Sequence, residues 1–273
     1  MKKKYIIAID LHGTLLDADW KIEKELLDEL IVLIETMSSD ANFYVCTGND
    51  YSFVQKYIPT EVLNLLSGYV LESGCIVHNH SQKIFVTNQI LMDKLKELEE
   101  YLKSKEYPFI KSFAKRESTI SMFTCDESGG EEPVRFYDIV NEGFQAHKYA
   151  HLFYLTYSNV AFDIIPLNVS KWTALMNIAE GNCLISFMDS YNDKEIALYS
   201  DITFLPANTS PSLVEYLRSS GRLILPISRF HLRKYLKYIS QLPATRAVIE
   251  GLYIVKNEII GKGLNCAREE EAT

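Results

Sequence analysis

Three short apolar runs in this chain each stop at a polar residue. Residues 5–9 end at Asp10, residues 42–46 at Thr47 and residues 184–188 at Asp189. Runs of this length, continuous in apolar side chains, read as strands buried on both faces. The first is followed by residues 21–37, where Ile22, Leu26, Leu30, Leu33 and Met37 recur on one side, the spacing of an amphipathic helix. Buried strands alternating with helices predict an α/β fold on a parallel sheet covered on both faces. Ligands bind such a sheet beyond the carboxyl ends of its strands. Asp10, Thr47 and Asp189 are therefore expected at one edge.

Residues 50–57 and 61–66 read as helices, and 69–71 and 75–78 as brief strands about a glycine turn. The pattern then changes. Leu91, Leu95, Leu98 and Leu102 stripe a helix over 89–103. Residues 119–124 read as a strand, the charged, glycine-containing 126–133 as a loop, 141–151 as a helix, and 153–156 and 160–164 as paired strands. Residues 81–165 are thus expected to form an inserted α+β domain, with the core divided between 1–80 and 166–273. Strand and helix alternate again afterwards: helix 171–180, strand 184–188, helix 193–199, strand 202–205 and helix 211–219. Residues 230–239, with Arg229, Arg233, Lys234 and Lys237 near aromatic and aliphatic neighbours, read as a helix beside the core. Residues 251–261 read as a further strand, and 268–273 as a frayed end.

The 273 residues are 47% hydrophobic, enough for one large or two modest globular domains. A net charge of -8 argues against nucleic-acid binding, which needs a concentrated positive surface. The first apolar run stops too soon for a signal-peptide core or a membrane span. Five cysteines, Cys46, Cys75, Cys125, Cys183 and Cys266, form no CxxC pair, so inert thiols and a cytoplasmic setting are expected. His78 and His80 alternate and could share one strand face, but a turn at the domain boundary is the plainer reading; His147 and His151, four apart, lack a convincing third ligand.

The strand-end residues suit one chemistry. Asp10 and Asp189 can share a hard divalent cation such as Mg2+, which prefers oxygen ligands. Asp193 can bind it through water or hold a ligand in place, and Asn192 can support it from outside. The Thr47 hydroxyl and the backbone N–H at Gly48 suit a phosphoryl oxygen. Lys171 can neutralise phosphate and the Asp10 carboxylate together. Each residue alone has a blander reading: Asp10 and Gly13 as a turn, Thr47-Gly48 as a strand-to-helix connection, Lys171 as a solvated helix residue, Asp193 as a cap. Their placement at the starts of successive βα units favours the site.

Asp10-Leu11-His12-Gly13-Thr14-Leu15 resembles the DxDGT motif of the haloacid dehalogenase superfamily. Cys46-Thr47-Gly48-Asn49 resembles its TGR segment, Ser170-Lys171 its lysine motif and Asp189-Ser190-Tyr191-Asn192-Asp193 its GDxxND motif. Val70-Leu71-Glu72-Ser73-Gly74 resembles the segment before the larger cap. The position of the insert is that of a C2 cap and looks closest to the sugar-phosphatase, Cof-like branch. The resemblance implies a Rossmann-like core and a magnesium-dependent phosphatase acting on a small phosphorylated sugar or polyol. It makes Asp10 the nucleophile and Thr47 and Lys171 the phosphate ligands. Asp189, Asp193 and the backbone carbonyl of His12 join Asp10 around the metal. Three positions depart from the pattern: His12 replaces the usual acid–base Asp, Asn49 the usual Arg, and Met188 the usual Gly. Histidine, with a reference pKa near 6.5, is itself suited to proton transfer. The alternative is a catalytically weak or inactive protein that retains a metal- or phosphate-binding pocket.

Overall fold

Strand β1 (Tyr5–Ile9) is five apolar residues, all buried. Its side chains alternate in direction, as a pleated strand requires. Tyr5, Ile7 and Ile9 join one hydrophobic cluster, and Ile6 and Ala8 join another on the opposite face. The computed structural model describes residues 4–79, 82–126, 129–130, 132–178, 183–231 and 235–263. After β1 come α1 (Lys24–Met37), β2 (Ala41–Cys46), α2 (Tyr51–Tyr57), α3 (Thr60–Leu63), β3 (Gly68–Leu71), β4 (Ile76–Asn79) and β5 (Lys83–Phe85). The middle holds α4 (Gln89–Lys103), β6 (Ser112–Phe113), β7 (Ile120–Phe123), β8 (Cys125–Asp126), β9 (Gly129–Gly130), α5 (Tyr137–Gln145), β10 (Phe153–Tyr157) and β11 (Ala161–Pro166). The last part holds α6 (Lys171–Met176), β12 (Cys183–Phe187), α7 (Lys194–Tyr199), β13 (Ile202–Leu205), α8 (Pro211–Ser219), β14 (Ile224–Pro226), β15 (Lys237–Ile239) and α9 (Ala244–Ile254).

A nine-stranded sheet runs in the order β14-β15-β13-β12-β1-β2-β3-β4-β5. Its pairs are parallel from β14 to β3, while β4 and β5 add on antiparallel. Ile9 pairs with Phe187 on one side and Val45 on the other, which brings three strand ends level. One face is covered by α1 and α9, through Leu30, Ile34, Val248 and Leu252. The other is covered through Ala174, Ile196 and Leu213 of α6, α7 and α8.

A second, antiparallel sheet has the order β10-β11-β7-β6. Ile120, Met122, Phe162 and Ile164 turn to its own cluster, with Leu95, Leu98 and Leu102 of α4 and Phe144 of α5. The alternate residues Ser121, Phe123, Ala161 and Asp163 line a cavity instead.

Several expectations need correction. Strand β5 lies within 81–165 yet is the edge of the large sheet. The helix expected over 141–151 ends at Gln145, and a 3-10 turn at Ala150–Leu152 leads into β10. Residues 230–239 contain strand β15, not a helix, because their backbone pairs with β13 and β14. Residues 251–261 are helical: α9 passes into a π-helical turn at Val255–Ile260. Gly251 serves close packing there, since an added Cβ would lie 2.4 Å from Cε1 of Phe187. Cys46 and Cys75 are buried free thiols, but Cys183 is disulfide-bonded. His80, Arg233, Lys234 and residues 268–273 lie outside the described residues. No helix among those described is long and apolar enough to cross a membrane.

Candidate active site

Asp10 leaves the end of β1 and is held by its backbone N–H, which donates to the Phe187 carbonyl at 3.0 Å. The chain then turns sharply through Leu11–Leu16. Gly13 has φ +73, and a Cβ there would sit 2.3 Å from Asp189 Oδ2. Only glycine suits both the left-handed backbone and the close approach. Asn208 fixes the turn by donating from Nδ2 to the Gly13 carbonyl at 2.7 Å.

Lys171 is the first residue of α6. Ser170 and Thr173 form a capping box at that helix start, the arrangement that satisfies the first free N–H groups. The Lys171 ammonium lies 2.5 Å from Asp10 Oδ1 and 2.5 Å from Asp193 Oδ1. Asp193 stands at the entry to α7, and Asp189 just beyond β12 accepts from Thr14 Oγ1 at 3.3 Å and Asn159 Nδ2 at 3.3 Å. Asp10, Asp189 and Asp193 are all buried and offer oxygens within 4.8 Å of one another. Thus three residues expected from distant segments do meet.

Their electrostatics are unbalanced. Burial, opposed by Lys171, raises the Asp10 pKa. Burial and then the neighbouring Asp10 and Asp193 raise Asp189 well above the carboxylate range, and burial also raises Asp193. For Lys171, burial acts to lower the pKa, but the two aspartates outweigh it and the ammonium form is favoured. Three carboxylates face one cation. A hard dication taking oxygen ligands fits this donor set and relieves the excess negative charge.

Thr47 follows β2, with its N–H donating to the Val70 carbonyl at 2.8 Å. Its hydroxyl oxygen accepts from the Asn49 backbone N–H at 3.1 Å and from Asn49 Nδ2 at 3.2 Å. Asn49 Nδ2 also lies 3.4 Å from His12 Nδ1. Arg116, on the connection between β6 and β7, donates from Nη2 to Asn49 Oδ1 at 2.6 Å. That contact fixes which end of the amide faces His12, so Nδ1 accepts and the proton of a neutral ring sits on Nε2. Nε2 is buried with no protein partner. The ring packs 5.2 Å from Trp20 and 5.0 Å from Phe53 between centroids. The expectation of titration near 6.5 is not met: burial, then Lys171 and Arg116, lower His12 to about 4.

A cavity of about 530 Å³ lies over this centre. Asp10, His12, Thr47, Gly48, Asp189 and Asn192 line it from the large sheet, while Arg116, Phe123, Asn159 and Asp163 line it from the insert. Lys171 and Asp193 are buried behind these residues, at 2% and 1% exposure. Asn192 accepts from Ser190 Oγ at 2.6 Å. Sequence reasoning missed Arg116, Asn159, Asp163 and Asn208. The only available sign was the alternation that sends Asp163 away from the core of its strand.

A family model described as haloacid dehalogenase-like hydrolase matches residues 7–152. No curated protein matches by sequence. Among solved structures, the sucrose-phosphatase of Synechocystis sp. PCC6803, in complex with sucrose and phosphate, gives a TM-score of 0.63 at 14% identity, covering 93% of this chain and 98% of that one. SMU.1108c from Streptococcus mutans UA159 gives 0.66 at 13% identity, covering 93% and 98%. A trehalose-6-phosphate phosphatase related protein gives 0.58 at 11% identity, covering 94% and 99%. At such identities the likeness is one of fold.

Proposed function

This chain belongs to the haloacid dehalogenase-like hydrolases, and from that premise we propose that it hydrolyses phosphate monoesters of small sugars or polyols through a phosphorylated Asp10. The observation that carries this reading is the convergence of Asp10, Asp189, Asp193 and Lys171 at one sheet edge, with the Lys171 ammonium 2.5 Å from both Asp10 and Asp193. Asp10, the His12 backbone carbonyl, Asp189 and Asp193 would hold Mg2+, with Asn192 supporting them. When bound, that cation would screen the repulsion between carboxylate and phosphate and stabilise the transferring oxygens.

An Asp10 oxygen attacks phosphorus, and the bond from phosphorus to the ester oxygen breaks as the aspartyl phosphate forms. His12 Nε2–H donates a hydrogen bond to the departing oxygen, which takes its proton from water, because a neutral ring that released this proton would be left as an anion. Water then attacks the phosphoryl group, releasing inorganic phosphate and restoring the Asp10 carboxylate. Thr47 and the Gly48 N–H hold phosphoryl oxygens, and Lys171 offsets the charge gathered there. The insert, with β5 left to the core sheet, acts as a cap that excludes bulk water. The sugar or polyol class is supported by the names of two proteins of the same fold. Asn159, Asn192 and Asn208 also supply hydrogen-bonding groups around the cavity.

Wild type is expected to release phosphate from a panel of sugar and polyol phosphates only with Mg2+, and Asp10→Asn to abolish release. A wild type that releases none while a control phosphatase works would remove this reading. A second reading, a slow or non-catalytic phosphate-binding protein, has the buried neutral His12 in its favour. Calorimetry with Mg2+ and inorganic phosphate separates the two, because the second predicts binding without turnover.

A further inference from the structure

The segment after β2 has Asn49 where a positive charge would help to hold phosphate. Arg116 brings a guanidinium to that asparagine from another module, 67 positions along the chain. Arg116 is the only Lys or Arg among the described residues lining the cavity, against five carboxylates, Asp10, Asp17, Glu23, Asp163 and Asp189. Its side chain is 7% exposed. Nη2 donates to Asn49 Oδ1 at 2.6 Å, Nη1 lies 3.5 Å from Asp50 Oδ2, and Nε is buried without a partner. Buried donors are nearly always paired, so a free N–H on the cavity's single guanidinium points to an anionic ligand.

The connection that carries Arg116 is itself anchored to the core. The buried Glu72 carboxylate accepts from the Glu117 N–H at 2.9 Å, the Ser118 N–H at 2.6 Å and the Thr119 hydroxyl at 3.4 Å. Glu72 and Ser73 hold left-handed backbone, φ 47 and 57, an unusual conformation for such residues. Core and insert are thus joined beside Arg116.

We infer that Arg116 is a phosphate clamp supplied by the insert, replacing the charge absent at Asn49 and gripping the phosphoryl group that Asp10 receives. The inference rests on the phosphate-ester reading above. Its direction is set by Asn49, whose amide touches both the Arg116 guanidinium and the Thr47 hydroxyl. Arg116 therefore serves the phosphate end of the cavity. A guanidinium suits this task because its fork presents several donors to phosphate oxygens.

Calorimetry with inorganic phosphate in Mg2+ buffer, on the full chain, tests the clamp without requiring turnover. Arg116→Gln is expected to weaken phosphate binding about tenfold or more, and Arg116→Lys to recover part of the loss. Guanidinium chloride at low millimolar concentration is expected to restore binding to Arg116→Ala, a response that a purely structural role would not give. Asp50→Asn removes the competing carboxylate while preserving the cap of α2, and is expected to tighten phosphate binding. Unchanged phosphate affinity in Arg116→Gln overturns the clamp. So does a loss confined to ester substrates, which places Arg116 on the leaving group. Should Arg116→Gln fail to fold, Asp50→Asn decides: tighter binding supports the clamp and unchanged binding overturns it. Arg116-dependent phosphate binding with no ester hydrolysis would sink the hydrolase reading and leave the clamp standing. Hydrolysis with Arg116-independent phosphate affinity would do the reverse.

Discussion

Position 12 carries a histidine where the family motif has a carboxylate, and its surroundings limit what the ring can do. Trp20 and Phe53 pack against it, and Asn49 directs its acceptor nitrogen away from the unpartnered Nε2. A neutral ring offers an N–H to a departing oxygen without adding positive charge. Its contribution should therefore grow with the basicity of the leaving group. His12→Ala is expected to reduce turnover of a sugar phosphate about ten- to hundredfold, the cost of leaving one such hydrogen bond unmade, and of p-nitrophenyl phosphate far less. Equal losses on both would remove His12 from the leaving-group contact, and His12→Asp tests whether a carboxylate restores the rate on the poorer leaving group. At this scale the sequence was informative where a residue ends a strand or starts a helix, as Asp10, Thr47, Lys171, Asp189 and Asp193 do. Arg116, Asn159 and Asn208 carry no such mark. Arg116 and Asn159 reach the site from connections in the insert, and Asn208 from the segment beyond β13, so only folding reveals their partners.

Helix α9 shows two effects in opposition. Gly251 lies within it, where alanine has the better helix propensity by about 1 kcal/mol. Yet a Cβ would meet Phe187 Cε1 at 2.4 Å and Phe204 Cγ at 3.1 Å. These rings stack on each other with centroids 5.0 Å apart, and both are buried, so neither has open space to move into. Overpacking of this kind costs about 1–3 kcal/mol and should exceed the propensity gain. Gly251→Ala is thus expected to lower stability in urea unfolding; an equal or higher midpoint at unchanged slope would show that the helix shifts freely over the sheet. Residues 251–261 read as a strand in the sequence, yet they continue a helix. Glycine marks a bend when only local sequence is considered, whereas here it permits a helix to approach two aromatic rings. Long helices with regular stripes, α1 and α4, were legible because their period repeats over several turns.

That the core is a parallel sheet follows from alternating buried runs, but its margins do not. Strands β5, β14 and β15 have three residues each, too few to display a period. β15 also begins with a lysine, which sequence reasoning placed on a solvated helical face. Lys237 is instead fully buried, donating to the Ser200 carbonyl at 2.9 Å and to Thr203 Oγ1 at 3.2 Å. Burial, then Arg222, lower its pKa to about 7, with Asp201 opposing. The unfolded chain has an ordinary lysine pKa of about 10.4. Between those values the unfolded state binds more protons than the folded state, so this group makes stability rise with pH. The slope from one proton cannot exceed about 1.4 kcal/mol per pH unit. Below about pH 7 the lysine is protonated in both states, and the folded protein bears the full cost of burying its charge. Lys237→Met removes the titration while keeping a long apolar side chain in the strand. Urea unfolding at pH 6 to 10 should therefore show wild type gaining stability relative to Lys237→Met as pH increases. Parallel pH profiles for the two proteins would mean that the buried ammonium keeps its proton throughout, held by the hydroxyl and carbonyl that flank it.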